Sequence, residues 1–210
     1  MLDNIQVLYH SSIRINKEVV IYIDPFKIDN NYNDADFVFI THDHYDHYSE
    51  EDINKVIKSN TFIIAPKDLL VKLLRKGFKQ EKIITVEPEK SYEIEGIKFE
   101  TISAYNINKM FHPKDNGWVG YIIEINNVRY YIAGDTDVTN ESKQVLCDVA
   151  FVPVGGTYTM NAKEAAELVN YIKPKIAVPI HYGSIVGTKQ DALDFLEQLN
   201  SNTKGKILLR

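Results

Sequence analysis

The sequence has a single cysteine, no long apolar run and no excess of basic residues. One cysteine, Cys147, cannot form an internal disulfide, which excludes a disulfide-stabilised scaffold and a zinc site built only from thiolates. No apolar run approaches the roughly 18–20 residues of a membrane span, and the first residues lack the basic-then-apolar order of a signal peptide. The 24 basic and 29 acidic residues give a net charge of −5, which argues against binding nucleic acid or an anionic membrane through a basic surface.

These absences indicate a cytoplasmic protein with no nucleic-acid or membrane partner, and homo-oligomerisation is left open. The 210 residues, 44% apolar and 25% charged, suit a single globular domain over residues 1–210. No linker or low-complexity stretch divides the chain. We therefore expect one domain with an ordinary apolar core.

Short β-type runs dominate the first two-thirds of the sequence, and strands alternate with helices in the last third. This pattern predicts an α/β (α+β) fold in which two mixed sheets pack face to face with helices outside. The predicted strands are Ile5–Tyr9, Val19–Asp24, Asp36–Thr41, Thr61–Ala65, Lys82–Val86, Tyr92–Ile94, Ile97–Ser103, Val119–Ile125, Arg129–Ala133, Val149–Pro153, Ile176–Ile180 and Ile207–Leu209. Four helices are predicted. The first is a short helix that begins at Ser49, and the others span Asp68–Lys76, Ala162–Ile172 and Gln190–Leu199.

Three of the six histidines lie between positions 42 and 47, directly after a predicted buried strand. Residues two apart in an extended chain share a face, so His42 and His44 can point to one place. A turn after His44 can bring Asp46 and His47 back to it. Imidazole and carboxylate groups are ligands for zinc, with manganese or iron as alternatives. The other reading, a polar loop whose histidines cap a helix or face solvent, leaves this concentration of histidine unexplained.

Further ligands are available where other predicted strands end. Asp135 follows the apolar run Tyr130–Ala133, and Gly134 before it allows close backbone approach. His181 ends the predicted strand Ile176–Ile180. Each residue alone is typical of a turn or a strand end. In a chain that already needs more metal ligands, both become candidates.

Three of these segments, Thr41–His47, Gly134–Asp135 and Pro179–Gly183, resemble successive metal-binding motifs of the metallo-β-lactamase superfamily. Three further segments resemble its L-ascorbate-6-phosphate lactonase-like branch: Tyr9–Ser12, Asp24–Pro25 and Val154–Met160. The resemblance implies a four-layer αβ/βα sandwich with one or two divalent ions at one edge. It also implies the residue roles: His42, His44 and His181 as imidazole ligands, Asp46 and His47 on the second metal, Asp135 as the bridge, and Asp46 as the catalytic group that orients water and accepts its proton.

The sequence departs from the superfamily pattern at one ligand position. The superfamily supplies a further histidine after a strand, but the corresponding phrase here is Ser103–Asn106, which places Asn106 at that position. An amide oxygen is a weaker zinc ligand than imidazole. His112, six residues later, can fold back to replace it or contact substrate. His10, after the first strand, is a further candidate for a ligand or a substrate contact.

Together these features predict a metal-dependent hydrolase that uses a metal-bound hydroxide on a small ester, lactone or phosphorylated metabolite. Cys147 precedes an apolar strand and is expected to be a buried packing residue. Two alternatives stay open. One is a phosphodiesterase or nuclease of the same superfamily, and the other is a metal-binding sensor or scaffold with vestigial catalysis, for which Asn106 is the best support.

Overall fold

The computed structural model describes residues 1–209, which form two compact units. The N-terminal unit contains residues 2–87 and Leu209, and the C-terminal unit contains Met1 and residues 88–208. Each unit holds one mixed β-sheet with α-helices, in agreement with the predicted composition of two mixed sheets. No helix among residues 1–209 has the length and apolar character needed to cross a bilayer.

Residues 2–87 contain six strands and two helices. Their bounds are β1 Ile5–Tyr9, β2 Ser12–Asn16, β3 Val20–Ile23, β4 Ala35–Phe39, α1 Glu50–Val56, β5 Ile57–Pro66, α2 Leu70–Arg75 and β6 Ile83–Val86. The strand order in the sheet is β1-β2-β3-β4-β5-β6. Strands β1, β2 and β3 pair antiparallel, and β3, β4, β5 and β6 pair parallel. The direction of pairing therefore changes at β3.

Helix α1 begins at its predicted position because Ser49 caps the first turn. The Ser49 hydroxyl accepts a hydrogen bond from the backbone N–H of Asp52 at 3.3 Å, and the acidic first turn suits the positive end of the helix. Ile53 and Val56 are fully buried in an apolar cluster that includes Val38 of the sheet. The histidine-rich segment connects β4 to α1, so both of its ends are anchored in the core of this unit.

Residues 88–208 contain seven strands and two helices. Their bounds are β7 Ser91–Ile94, β8 Ile97–Ser103, β9 Val119–Ile125, β10 Val128–Ile132, β11 Val149–Pro153, α3 Ala162–Ile172, β12 Ile176–Ile180, α4 Lys189–Glu197 and β13 Lys204–Gly205. The strand order is β13-β12-β11-β10-β9-β8-β7. Strands β7 to β10 are antiparallel neighbours, and β10 to β13 are parallel neighbours. The direction of pairing changes at β10.

Local sequence signals explain the bounds of these elements. Asn126 and Asn127 form the predicted two-residue hairpin turn between β9 and β10, with φ of 54° and 58°, the left-handed values that such turns require. Asn161 begins α3 through a capping box with Glu164, in which each side chain bonds the other residue's backbone N–H at 2.9 Å. Helix α4 begins with the same motif at Thr188. The predicted alternation of strand and helix in the last third is confirmed.

Three details of the predicted secondary structure are wrong. Strand β5 begins at Ile57, directly after α1, rather than at the predicted Thr61. The last strand is Lys204–Gly205 rather than Ile207–Leu209, because the chain reaches β12 directly after the turn that follows α4 and pairs there with Ile176 and Ala177. Strand β2 was not predicted, although Ile13 and Ile15 alternate with Arg14 in the manner of a strand. Pairing with both β1 and β3 makes this segment a strand.

Candidate metal centre

The histidine-rich segment of the N-terminal unit folds into the predicted turn. The backbone N–H groups of His47 and Tyr48 both donate to the carbonyl of His44, at 3.0 and 2.7 Å. The His42 ring lies 4.8 Å from the His44 ring and 4.0 Å from the His47 ring, measured between centroids. The three imidazoles therefore converge, and His42 and His44 offer ring nitrogens within 4.8 Å of each other.

Asp24 and Thr41 fix the orientation of two of these rings. The Asp24 carboxylate accepts hydrogen bonds from the Thr41 backbone N–H at 2.8 Å, the Thr41 hydroxyl at 2.7 Å and Nδ1–H of His47 at 2.7 Å. Because Thr41 gives its only hydroxyl proton to Asp24, its oxygen accepts from Nδ1–H of His42 at 2.9 Å. Both rings therefore carry their lone pair on Nε2, the arrangement typical of metal-binding histidines.

These two orienting residues were absent from the predicted site. Burial raises the pKa of Asp24, while hydrogen bonds from His47 and Thr41 act in the opposite direction. The sequence signals were the position of Asp24 at the end of a predicted strand and the Asp24–Pro25 pair that carried part of the family resemblance, and neither indicated a contact with His47. Its partners lie 17 and 23 residues away along the chain, so spacing could not reveal the contact.

His10 and Asp46 form a second contact within the N-terminal unit. Nε2 of His10 lies 3.5 Å from Oδ2 of Asp46, and Nε2 of His47 lies 3.7 Å from the same oxygen. All three side chains are buried. The structure therefore places His10, whose role the sequence left open, beside the predicted catalytic carboxylate.

In the C-terminal unit, Asp135 lies between two histidines. Its Oδ2 atom is 3.4 Å from Nε2 of His112 and 3.1 Å from Nε2 of His181, and all three residues are at most 3% exposed. Gly134, with φ of 64°, leads from β10 into this position. The two predicted residues Asp135 and His181 are brought together, and His112 joins them.

Asn106 lies beside His112, and its side-chain amide is hydrogen-bonded to His112 and to the backbone of Tyr158. Its Oδ1 atom is 3.2 Å from both the backbone N and Nδ1 of His112, and its Nδ2 donates to the carbonyl of Tyr158 at 2.9 Å. The side chain therefore contacts His112 directly.

His181 occupies a tight bend after β12. A side chain at Gly155 would place its Cβ 2.3 Å from the carbonyl oxygen of His181, so only glycine fits there. Gly155 belongs to the segment Val154–Met160 that carried part of the family resemblance. Its role is thus to admit the backbone that presents His181.

Left-handed backbone marks three of the site residues. His10, Asp24 and His181 have φ of 52°, 46° and 58°, a conformation unfavourable for residues with a side chain. Eight other non-glycine residues within 1–209 have positive φ, and all eight are exposed, whereas these three are buried. Each of the three directly follows the last residue of a strand, namely β1, β3 or β12.

Each unit contains donor groups of the kind that bind a divalent cation. His42 and His47 turn Nε2 away from their hydrogen-bonded Nδ1 atoms, and two further Nε2 atoms approach the carboxylate of Asp135. Buried imidazoles and carboxylates in this arrangement are typical metal ligands. Cys147 is half-buried rather than buried, and desolvation together with the nearby Asp148 raises the pKa of its thiol to about 12. The thiol therefore stays protonated at neutral pH, as expected of a packing residue.

Comparison with known proteins identifies the family. The model of the "Beta-lactamase superfamily domain" matches residues 4–181. A "UPF0173 metal-dependent hydrolase" from Saccharolobus solfataricus is 30% identical over 196 residues, covering 90% of this chain and 83% of the relative. The chain belongs to the UPF0173 family. This family of metal-dependent hydrolases lies within the predicted metallo-β-lactamase superfamily, so the prediction of a metal-dependent hydrolase is confirmed.

Solved structures confirm the fold class of this UPF0173 protein. A structure from Parabacteroides distasonis superposes with a TM-score of 0.84 at 31% identity, covering 98% of this chain and 93% of the other. Igni18, a metallo hydrolase from Ignicoccus hospitalis, superposes with a TM-score of 0.80 over 98% of this chain and 94% of its own, at 23% identity. The latter similarity concerns the fold alone.

Proposed function

We propose that this UPF0173 protein hydrolyses a small ester or lactone. It would share lactone hydrolysis, but not a phosphorylated substrate, with the L-ascorbate-6-phosphate lactonase-like branch. The observation that carries the proposal is the approach of two buried histidine Nε2 atoms to one Asp135 oxygen, an arrangement suited to a carboxylate that bridges metal ions. One or two divalent ions are proposed, with zinc first and manganese or iron as alternatives. The proposed ligands are His42, His44, Asp46, His47, Asp135 and His181.

A divalent ion bound there would lower the pKa of a water ligand to about 7. The protein residues supply position and proton transfer. Asp46, buried and within 3.5 Å of Nε2 of His10, is proposed to orient the attacking water and to accept its proton. The Asp24–Thr41 pair keeps the His42 and His47 rings in one orientation, which preserves the positions of the reacting groups between turnovers.

The segment around His112, residues 107–114, favours an uncharged substrate over a phosphorylated one. The two lysines there that could bind a phosphate are paired with carboxylates, Lys109 with Asp137 and Lys114 with Glu141. By contrast, Ile107, Met110 and Phe111 expose their apolar side chains. An ester or lactone with an apolar portion suits this surface better than a phosphate ester does.

The remaining features of the proposal rest on composition and family. The acidic net charge supports a small-molecule substrate rather than a nucleic-acid or membrane partner. The single cysteine supports a cytoplasmic location. We propose that residues 1–210 act as one domain, because the family match over residues 4–181 includes most of both units. Homo-oligomerisation stays a prediction.

A hydrolysis panel tests this function. Zn²⁺-, Mn²⁺- and Fe²⁺-loaded protein is assayed with lactones, aryl esters, phosphomonoesters and bis-aryl phosphodiesters, and Asp46→Asn is the matched variant. We expect turnover of an ester or lactone, reduced at least about 100-fold in Asp46→Asn because the proton acceptor is lost. Turnover of only the phosphodiester would favour the phosphodiesterase alternative, and metal binding without any turnover would favour the sensor. Wild-type rates in Asp46→Asn would remove Asp46 from the mechanism.

A further inference from the structure

The amide of Asn106 has a defined orientation. The carbonyl of Tyr158 can only accept a hydrogen bond, so the group that faces it at 2.9 Å is the NH₂ of Asn106. The backbone N–H of His112 can only donate, so the group that faces it at 3.2 Å is the amide oxygen. Two independent partners thus agree on the same orientation of the side chain.

This orientation determines the state of the His112 ring. Nδ1 of His112 lies 3.2 Å from the same Asn106 oxygen, which can only accept, so Nδ1 carries a proton. In neutral imidazole the lone pair is then on Nε2, the atom that lies 3.4 Å from Asp135. The backbone N–H and Nδ1–H of His112 together use both lone pairs of the Asn106 oxygen, which leaves that oxygen poorly suited to bind a metal itself.

The loop between the two residues is held from several sides. The backbone N–H of Asn106 donates to the carbonyl of His112 at 2.8 Å and closes the loop. Asp137 accepts from the backbone N–H of Ile107 at 2.9 Å and from Lys109. The His112 ring also packs edge-on against Trp118, with centroids 5.4 Å apart. These contacts, all within the C-terminal unit, hold the ring in place.

We propose that Asn106 is a positioning residue and that His112 takes the ligand role which the superfamily gives to a histidine at the position of Asn106. The inference rests on the proposed metal centre. His112 lies six residues after the position where the superfamily has its histidine, and the side-chain amide of Asn106 at that position selects the tautomer of His112. The substitution at Asn106 is then a rearrangement of the metal site rather than a sign of lost metal binding.

Metal binding by the full-length chain tests this assignment. Affinity for Zn²⁺ is measured by competition with a chromophoric chelator, and the absorption spectrum is recorded with Co²⁺. We expect Asn106→Ala to weaken affinity by about 10–100-fold, as is usual for a residue that orients a metal ligand. Asn106→Asp keeps the oxygen that accepts from Nδ1–H of His112 but loses the donor to the Tyr158 carbonyl, so it should lose less affinity than Asn106→Ala. His112→Ala should change the Co²⁺ spectrum, because one nitrogen ligand is lost.

Asn108→Ala is the matched control, since Asn108 is exposed in the same loop and should behave as the wild type. Thermal unfolding checks that each variant folds. If Asn106→Ala does not fold, the metal affinity of Asn106→Asp and the Co²⁺ spectrum of His112→Gln test the inference instead. An unchanged Co²⁺ spectrum in the His112 variants, or equal affinity in Asn106→Ala and Asn108→Ala, would overturn the inference while leaving the proposed function intact. Absence of metal binding by the wild type would overturn both.

Discussion

Replacement of Asp24 by asparagine is expected to weaken metal binding without removing a ligand. The substitution preserves shape but places an NH₂ group where Oδ2 now accepts from Nδ1–H of His47 and the Thr41 hydroxyl. Two donors would then face each other. The rearrangement that relieves this puts the His47 proton on Nε2, and Thr41 turns its proton toward Nδ1 of His42. Both rings would then lose the Nε2 lone pair that we propose binds the metal.

The size of the effect follows from the number of rings that Asp24 controls. Loss of one group that orients a metal ligand typically weakens affinity by about 10–100-fold, or about 1.4–2.7 kcal/mol. At saturating metal the same amount is lost from the ligand-induced stabilisation of the fold. For a chain of this length, that corresponds to a metal-induced rise in Tm that is smaller by about 3–10 °C.

The assay compares Zn²⁺ affinity and Tm, with and without Zn²⁺, in Asp24→Asn, in the wild type and in Asp29→Asn. Asp29 is an exposed aspartate in the segment after β3 and serves as the control. Asp24→Asn should lose affinity, whereas Asp29→Asn should not. If Asp24→Asn lowers the Tm of the metal-free protein but leaves Zn²⁺ affinity unchanged, Asp24 is only a structural residue and the tautomer argument is refuted.

Three further predictions concern metal content, packing and pH. His42→Ala and Asp135→Ala should each reduce the metal content of protein purified without a histidine tag, measured by mass spectrometry; full content in both would contradict the ligand assignment. Ile53→Ala should lower the free energy of unfolding by about 2–5 kcal/mol in urea titrations, because Ile53 is fully buried, and the exposed Leu146→Ala should change it little. The Arg129 backbone N–H and Lys175 lower the pKa of Asp148, so its stabilising effect is present above the unfolded-state pKa of about 3.9 and is lost as pH falls through the folded value. Asp148→Asn should therefore be less stable than the wild type at pH 7, and the difference in stability should vanish in acid. A stability difference that does not change with pH would show that the ionised Asp148 carboxylate and its ion pair with Lys175 are not its cause.

The elements predicted most accurately are those that the sequence itself delimits. Strand β9 lies between a glycine-containing turn and the Asn126–Asn127 hairpin, and helix α3 begins at a capping box, so local signals define both. The bounds of β13 depend instead on where the chain meets β12. That position is set by packing, and it cannot be inferred from the apolar run at Ile207–Leu209.

The same distinction applies to the site. The histidine-rich turn could be predicted because its ligands are adjacent in sequence and their spacing has geometric meaning. The orienting contacts could not, because Asp24 meets His47 across 23 residues and Asn106 reaches Tyr158 across 52. Asn106 looked like a weakened ligand until the direction of its amide was known. Spacing identifies candidate ligands, whereas hydrogen-bond direction identifies the residues that orient them.

The left-handed backbone of His10, Asp24 and His181 lowers the stability of the fold at the positions where these side chains contribute to the site. Each such residue costs about 1–2 kcal/mol relative to a relaxed conformation, which together is a substantial fraction of the 5–15 kcal/mol that keeps a typical domain folded. Glycine at any of the three would relieve the strain and remove a group from the site. Conversion of any of the three to glycine should therefore raise stability while removing a side chain from the proposed metal centre.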